Sequence, residues 1–341
     1  MTALVTADLH LSSNPRDLYR HEFAAVTLLN LVQKHKPDQL IILGDLTDQK
    51  DRHEAALVND VVNYIKRLAE ETRVIVLRGN HDCINPDVPF FGFLRKLSNV
   101  EFIIDSKVEN IEGLGTCTFL AHTRDYKKSW TRFNFDPYKR DPDCGFIFCH
   151  NTFEGADAGH GSPLKGIPTK VLPPDACVIS GDVHVPQQLD QITYVGAPYT
   201  VTFGDSYKPS VLMIGRTLKN TLQMQLIPVH GIKKLTVDVK DADRLPKLKA
   251  NPGDLVKVRV HLKAEDYARW PEIQNDVRAW VENSEAQLCQ LQPVKTSQQR
   301  LGKQLSRHSK SYGELVKAFG TRRSLHSSII KTGLWLANKI E

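Results

Sequence analysis

Short apolar runs of β-branched residues alternate with longer amphipathic stretches through the first part of the chain. Three of these runs read ALVTA (3–7), QLIIL (39–43) and RVIVL (73–77). Between them, residues 17–35 and 52–71 carry apolar side chains at helical spacing. A strand, helix, strand rhythm of this length predicts βαβ units with parallel pairing, and therefore an α/β fold.

Further strand candidates follow in the second part of the chain, where the apolar runs lie closer together. They are residues 100–104, 115–121, 145–149, 176–180, 192–195, 210–214 and 222–228. Close spacing with tight turns favours antiparallel neighbours, so we expect a mixed sheet here rather than a purely parallel one.

The composition changes near residue 230. Two strands at 235–239 and 254–262, a helix around 265–283 and a strand at 286–294 follow. A unit of this size predicts a small α+β domain. We therefore divide the chain into a large domain (1–232), a small domain (233–294) and a basic helical tail (295–341).

The excess of basic charge lies in the tail. Residues 295–341 contain ten Lys or Arg and two acidic residues, while the whole chain has a formal net charge of +6. This asymmetry favours a polyanion or an acidic partner, although a merely solvated tail would have the same composition. Two apolar helical faces are predicted in it. They are formed by Tyr312, Leu315, Val316 and Phe319, and by Leu325, Ile329, Leu336 and Ile340.

Five of the apolar runs end in side chains that bind metal ions. The motifs are Asp8-Leu9-His10, Gly44-Asp45 with Asp48, Gly79-Asn80-His81-Asp82, His150, and Gly181-Asp182-Val183-His184. In an open α/β sheet, residues beyond the carboxyl ends of strands converge on one crevice. Divalent cations would offset the repulsion among the gathered carboxylates. Oxygen and nitrogen ligands without thiolates favour Mn²⁺, Fe²⁺ or Zn²⁺ over Ca²⁺.

Each of these motifs also has an ordinary explanation. A single Asp-Leu-His is commonly surface polarity, and a single Gly-Asp is commonly a turn. The five together, each at the end of an apolar run, favour a metal centre.

In this order the motifs resemble those of the calcineurin-like metallophosphoesterases, and GDLTD and RGNHD match that pattern in full. The resemblance covers roughly residues 1–230. It implies a four-layer α/β fold, a β-sandwich flanked by helices, with two divalent metal ions. Mn²⁺ is the expected ion, with Mg²⁺, Fe²⁺ and Zn²⁺ as alternatives.

The resemblance also implies a role for each site residue. One ion would be held by Asp8, His10 and His184, the other by Asn80, His150 and Asp182, and Asp45 would bridge both. His81 would lie beside the ions and stabilise the transition state or protonate the leaving oxygen. Asp48 is predicted as a second catalytic residue.

Asp182 departs from the family pattern, since relatives carry a histidine at this place. An aspartate can still bind a metal, but it makes the loaded centre less positive by one charge. We expect retained activity with a shifted metal preference or pH optimum. A decayed centre is the alternative.

A further segment, YVGAPYTVTFGDS (194–206), resembles the Gly-Ser-Pro…Phe-Gly-Glu segment of SbcD-type, or meiotic-recombination, DNA nucleases. In that family a small capping domain contacts DNA, and a helical tail binds an SMC-like ATPase. The resemblance implies a two-metal exonuclease or endonuclease that processes DNA ends in recombination, repair or replication. It also implies a homodimer within a heterotetramer that contains an SbcC-type ATPase. The compact chain is similar to phage-encoded members.

Two other functions remain open at this point. One is a stand-alone phosphatase or cyclic-nucleotide phosphodiesterase of the same fold; the other is a non-catalytic scaffold that binds DNA ends. The chain shows no basic leader and no apolar run near the roughly 20 residues of a membrane span, so we expect a cytoplasmic protein without membrane contact, in the host cytoplasm if it is phage-encoded.

Overall fold

The apolar runs form strands of three sheets in this computed structural model. The structure describes residues 2–130, 135–138, 145–159, 161–216, 221–263, 265–295, 312–323 and 325–337. The chain divides into two units, Met1–Lys295 and Thr296–Glu341. Within the described ranges, no helix has both the length and the apolarity to cross a membrane.

The strands of the first unit are β1 (Thr2–Ala7), β2 (Gln39–Leu43), β3 (Arg73–Leu77), β4 (Val100–Ile103), β5 (Lys107–Ile111), β6 (Gly115–Leu120), β7 (Phe146–His150), β8 (Cys177–Gly181), β9 (Gln187–Leu189), β10 (Ile192–Tyr194), β11 (Ser210–Arg216), β12 (Leu222–Pro228), β13 (Lys234–Val239), β14 (Leu255–Leu262) and β15 (Gln287–Lys295). Its helices are α1 (Tyr19–Glu22), α2 (Leu28–His35), α3 (Ala55–Glu71), α4 (Tyr126–Ser129) and α5 (Trp270–Glu282), with a π-helical segment, Phe23–Thr27, between α1 and α2.

The first sheet has the order β12-β11-β1-β2-β3-β4. Strands β1 to β4 are parallel, with Val5 opposite Ile41 and Ile41 opposite Ile75, as the βαβ rhythm predicts. The second sheet has the order β5-β6-β7-β8-β10-β9. It is mixed, because β6, β7, β8 and β10 are parallel and both edge strands are antiparallel.

The two sheets pack face to face, and alternate residues of each strand enter different cores. Ala3 and Val5 point between the sheets, where they meet a core that contains Phe119 and Phe148. Leu4 points to the opposite face, which α2 and α3 cover. Loops and the short helix α4, including Phe153 and Tyr126, cover the outer face of the second sheet. The predicted α/β sandwich flanked by helices is confirmed.

The third sheet has the order β13-β14-β15 and is parallel throughout. Helix α5 packs on it and buries Ile273 and Val277 against Val258 and Val260. The strands and helix predicted beyond residue 230 are therefore confirmed, while the three-domain division stays a prediction.

The described residues of the second unit form two helices, α6 (Tyr312–Arg322) and α7 (Ser327–Ala337). They pack closely at glycines, since a Cβ atom at Gly320 would lie 2.5 Å from Ile330 Cγ1. On the predicted apolar faces, Phe319, Ile329 and Leu336 are 59%, 56% and 50% exposed. Ile340 lies outside the described residues.

Candidate metal centre

The predicted strand-end residues lie together at one edge of the paired sheets. Asp8 and His10 follow β1, Asp45 follows β2, Asn80 and His81 follow β3, His150 ends β7, and Asp182 and His184 follow β8. Three groups of these residues could hold a metal ion, with ligand atoms within 4.8 Å of one another. The groups are Asp8–His10–His184, His10–Asp45–His81 and Asp8–Asp45–His150.

The backbone at these strand ends adopts an unusual conformation. Asp8, His10, Asp45 and Asp182 have φ values of 56°, 41°, 54° and 77°. A non-glycine residue in this region costs about 1–3 kcal/mol, so the surrounding structure must enforce it. Part of the enforcement is hydrogen bonding between neighbouring loops, as the His10 N–H donates to the Asp45 carbonyl at 2.8 Å.

Gly79 allows the β2 and β3 ends to approach each other. A Cβ atom at this position would collide with Asp45 Oδ1 and would lie 2.6 Å from the Asp45 amide nitrogen. Only glycine therefore lets the Asp45 carboxylate reach its place.

Two imidazoles face each other on one side of the centre. His10 Nε2 lies 3.1 Å from His184 Nε2 and 3.5 Å from Asp45 Oδ2. His10 Nδ1 lies 3.2 Å from Asp48 Oδ1, which favours the proton on Nδ1 and leaves the Nε2 lone pair toward His184. Burial lowers the pKa of His184 to about 4, so its ring is neutral near pH 7.

His150 faces three carboxylates on the other side. Its Nδ1–H donates to the Leu43 carbonyl at 2.6 Å, which directs Nε2 into the centre. Nε2 lies 3.4 Å from Asp45 Oδ1, 3.8 Å from Asp182 Oδ1 and 4.0 Å from Asp8 Oδ1. The amide group of Asn80 lies 2.9 Å from the same nitrogen.

The charge states fit a site that holds cations. Burial raises the pKa of Asp8 to about 7, and Asp8 Oδ2 is a buried oxygen without a hydrogen-bond partner. Burial opposes the charged form of His150, but the carboxylates of Asp45, Asp8 and Asp182 outweigh it and raise its pKa well above 6.5. An orphaned carboxylate oxygen and two facing imidazole nitrogens are donors that a divalent cation would satisfy.

The family model for calcineurin-like phosphoesterases matches residues 1–186. The chain belongs to the calcineurin-like phosphoesterases. The matched region ends two residues beyond His184 and therefore includes all five strand-end motifs. Phosphoesterases of this family use two divalent metal ions, and the clustered side chains agree with a metal-dependent phosphoesterase.

Asp182 is well held in this phosphoesterase. Its Oδ2 accepts a hydrogen bond of 2.5 Å from the Thr152 hydroxyl, and its backbone N–H donates to Asp8 Oδ1 at 3.2 Å. Its Oδ1 consequently faces His150 and Asn80. The aspartate at position 182, where the resemblance predicts a histidine, is thus directed into the centre.

The two predicted catalytic residues lie next to each other. His81 Nδ1–H donates to the Asp48 carbonyl at 2.6 Å, and the His81 and His10 rings lie 5.0 Å apart. The Asp48 carboxylate contacts His10 and Arg20, an arrangement suited to orienting a ligand. Its predicted catalytic role stays a prediction.

Sequence reasoning assigned no role to two buried residues that shape the phosphoesterase centre. Asp82 accepts the backbone N–H groups of Asp45, Leu46 and Gly79 at 2.6 to 3.0 Å and so joins the ends of β2 and β3. Arg20 donates to the His10 carbonyl at 2.6 Å. Asp82 belongs to the RGNHD motif, which could have drawn attention to it, whereas no local signal marks Arg20.

A groove of about 680 Å³ opens beside Asn80. Its lining includes Lys50, Arg78, His122 and Arg124. Burial, and then the charge of His150, lower the pKa of His122 to about 4, so this wall of the groove carries a neutral imidazole. The groove borders the centre at Asn80.

Proposed function

We propose that this phosphoesterase is an SbcD-type, Mn²⁺-dependent DNA nuclease that processes DNA ends. The observation that carries the proposal is the position of residues 194–206, the segment that resembles the nucleases. The Tyr199 hydroxyl donates to the Leu9 carbonyl, between the predicted metal ligands Asp8 and His10. The same segment also forms hydrogen bonds with the third sheet.

The contacts with the third sheet are specific. Thr200 Oγ1 accepts the Lys234 N–H at 2.8 Å, and the Phe203 carbonyl accepts the Thr236 hydroxyl at 2.6 Å. The segment thereby joins the third sheet to the loop that carries Asp8 and His10. A polymer needs contact surface beyond the scissile phosphate, whereas a small phosphoester does not.

The chain's own residues have distinct parts in the proposed reaction. Asp8, His10 and His184 would hold one ion, Asn80, His150 and Asp182 the other, and Asp45 both. When bound, the ions would supply Lewis-acid activation and neutralise charge on the phosphate. His81 is half-buried, and its Nδ1–H donates to the Asp48 carbonyl, so the imidazolium form would donate its Nε2 proton to the leaving oxygen and keep the Nδ1 proton.

The test is a nuclease assay with Mn²⁺ on linear duplex and single-stranded DNA, beside p-nitrophenyl phosphate and a cyclic nucleotide. We expect degradation of DNA, and we expect His81→Ala to lower its rate by about 10²- to 10⁴-fold, because one general acid contributes about that much. The exposed His230 provides a matched control, since His230→Ala should cut at the wild-type rate.

The outcomes separate the candidate functions. Hydrolysis of the small esters without DNA degradation would replace the nuclease proposal with a phosphatase or cyclic-nucleotide phosphodiesterase. DNA binding without any hydrolysis would indicate a scaffold with a decayed centre.

We also propose that the tail binds an SbcC-type ATPase, that the complex contains two copies of this chain, and that it acts in the cytoplasm. The half-exposed apolar side chains of Phe319, Ile329 and Leu336 support a docking role for α6 and α7. Basic residues of the tail would add contacts to acidic groups or DNA phosphates.

A further inference from the structure

A row of charged side chains connects the third sheet with a predicted metal ligand. Lys234, at the start of β13, donates from Nζ to Asp17 Oδ1 at 2.5 Å. Arg20 Nη2 donates to the same Asp17 oxygen at 3.0 Å, and Arg20 Nη1 donates to Asp48 Oδ2 at 2.8 Å. The row ends at His10, whose Nδ1 lies 3.2 Å from Asp48 Oδ1. We call Lys234, Asp17, Arg20 and Asp48 the charge row.

Arg20 fixes His10 in two ways. It holds the carboxylate that faces the His10 ring, and it donates to the His10 carbonyl at 2.6 Å. The backbone of His10 has a φ of 41°, a conformation that its surroundings must enforce. A displacement of Arg20 would therefore shift both the imidazole ring and the backbone carbonyl of His10.

The position of Arg20 depends in turn on Lys234. Lys234, Asp17 and Arg20 are only 8%, 7% and 3% exposed, so water does not replace a lost partner easily. Both cations also share the Val201 carbonyl, at 3.0 Å from Lys234 Nζ and 3.4 Å from Arg20 Nη2. Without Lys234, Asp17 would keep Arg20 as its single cation and draw the guanidinium away from Asp48.

We propose that Lys234 is a positioning residue for His10, and that docking of the third sheet sets the affinity of the metal centre through the charge row. The proposal rests on the metal centre of the proposed function and is independent of the DNA substrate. It assigns the third sheet a part in assembling the centre, besides any contact with substrate.

A purely structural role for Lys234 is the competing explanation, because the residue also holds the third sheet in place. Thr236 offers a matched control. Its hydroxyl donates to the Phe203 carbonyl across the same junction, and among the described contacts it has none with the charge row. Thr236→Val loosens docking without disturbing Asp17 or Arg20.

The experiment measures Mn²⁺ binding by isothermal titration calorimetry on the full chain, at a temperature where every variant is folded. Lys234→Met should weaken Mn²⁺ binding about 3- to 10-fold, the usual range for coupling through a side-chain network. Asp17→Asn interrupts the same row at its next member and should act in the same direction. Thr236→Val should stay within about 2-fold of the wild type, because it leaves the row intact.

A double-mutant cycle with Asp48→Asn then shows whether Lys234 acts through the row. If it does, Lys234→Met should add less than about 2-fold once Asp48 no longer carries charge. An equal loss with and without Asp48→Asn would overturn the proposal. Equal Mn²⁺ affinities of the Lys234→Met and Thr236→Val variants would also overturn the proposal.

Failure of this proposal differs from failure of the nuclease proposal. If the variants bind Mn²⁺ in the expected order but the wild type cuts no DNA, the proposal about the charge row stands and the nuclease proposal is wrong. A wild-type chain that binds no Mn²⁺ would overturn both.

Discussion

Asp182 owes its orientation to a residue 30 positions earlier, since the Thr152 hydroxyl donates to its Oδ2 at 2.5 Å. Removing this hydroxyl should let the carboxylate rotate away from His150. We expect Thr152→Val to weaken one of two Mn²⁺ sites by about 10-fold, as loss of a ligand's outer partner commonly does. Calorimetric titration with Mn²⁺ would resolve the two sites.

Thr152→Ser keeps the hydroxyl and is the control for this prediction, so it should bind Mn²⁺ as the wild type does. Two wild-type affinities in the valine variant would show that Asp182 orients itself without Thr152.

The clustering of the predicted metal ligands could be anticipated from the sequence because each stands directly beyond an apolar run, and a strand carries its end residues to a known edge. Thr152, Arg20 and Lys234 could not be found in this way. Lys234 reaches Asp17 across 217 positions, and neither residue lies in a recognisable motif. Contacts of that separation exist only after the sheets have paired.

At the scale of elements, strands with continuous apolar runs were predictable and weakly patterned strands were not. β2 and β3 occupy the residues predicted for them, because both are buried on two faces. β5 and β9 were missed. β5 alternates half-buried and exposed residues, including Lys107 and Glu109, and β9 has only three residues. Both owe their strand conformation to an antiparallel neighbour.

The tail helices lead to a prediction at the same scale. Ile329 and Leu336 on α7 are half-exposed, so a charge there should oppose docking onto an ATPase without altering the fold of α7. We expect Ile329→Asp to weaken binding to a purified SbcC-type ATPase by about 30-fold, the loss typical of an interface hot spot. Surface plasmon resonance on the full chain would measure it.

The control for the tail is Ser327→Asp, an equally charged substitution at an exposed polar position of the same helix. Both variants should keep the Mn²⁺ affinity of the wild type. Equal ATPase binding by the two aspartate variants would exclude the α7 face as the docking surface.

For the molecule as a whole, the metal centre costs stability when no ion neutralises it. Burial raises the pKa of Asp8 from 3.8 to about 7, so the folded state holds this proton more tightly than the unfolded chain. The resulting stabilisation is greatest below pH 3.8 and is lost as the pH rises to about 7. His150 acts with the same sign. Although burial opposes its charge, Asp45 and the other carboxylates raise its pKa well above 6.5, so its contribution is lost as the pH rises through that raised value.

Burial lowers the pKa values of His184 and His122 from 6.5 to about 4, so these two groups act with the opposite sign below pH 6.5. We therefore expect the protein in EDTA to lose stability between about pH 6.5 and 8, by up to about 1.4 kcal/mol per pH unit for each proton released on unfolding. Mn²⁺ competes with these protons, so its stabilising effect should grow over the same range. Urea unfolding at each pH, with and without Mn²⁺, measures both trends. Asp8→Asn removes one titrating group and should flatten the EDTA curve while weakening the response to Mn²⁺. A metal-free protein whose stability rises steadily over that range would show that these groups do not set the pH dependence of folding.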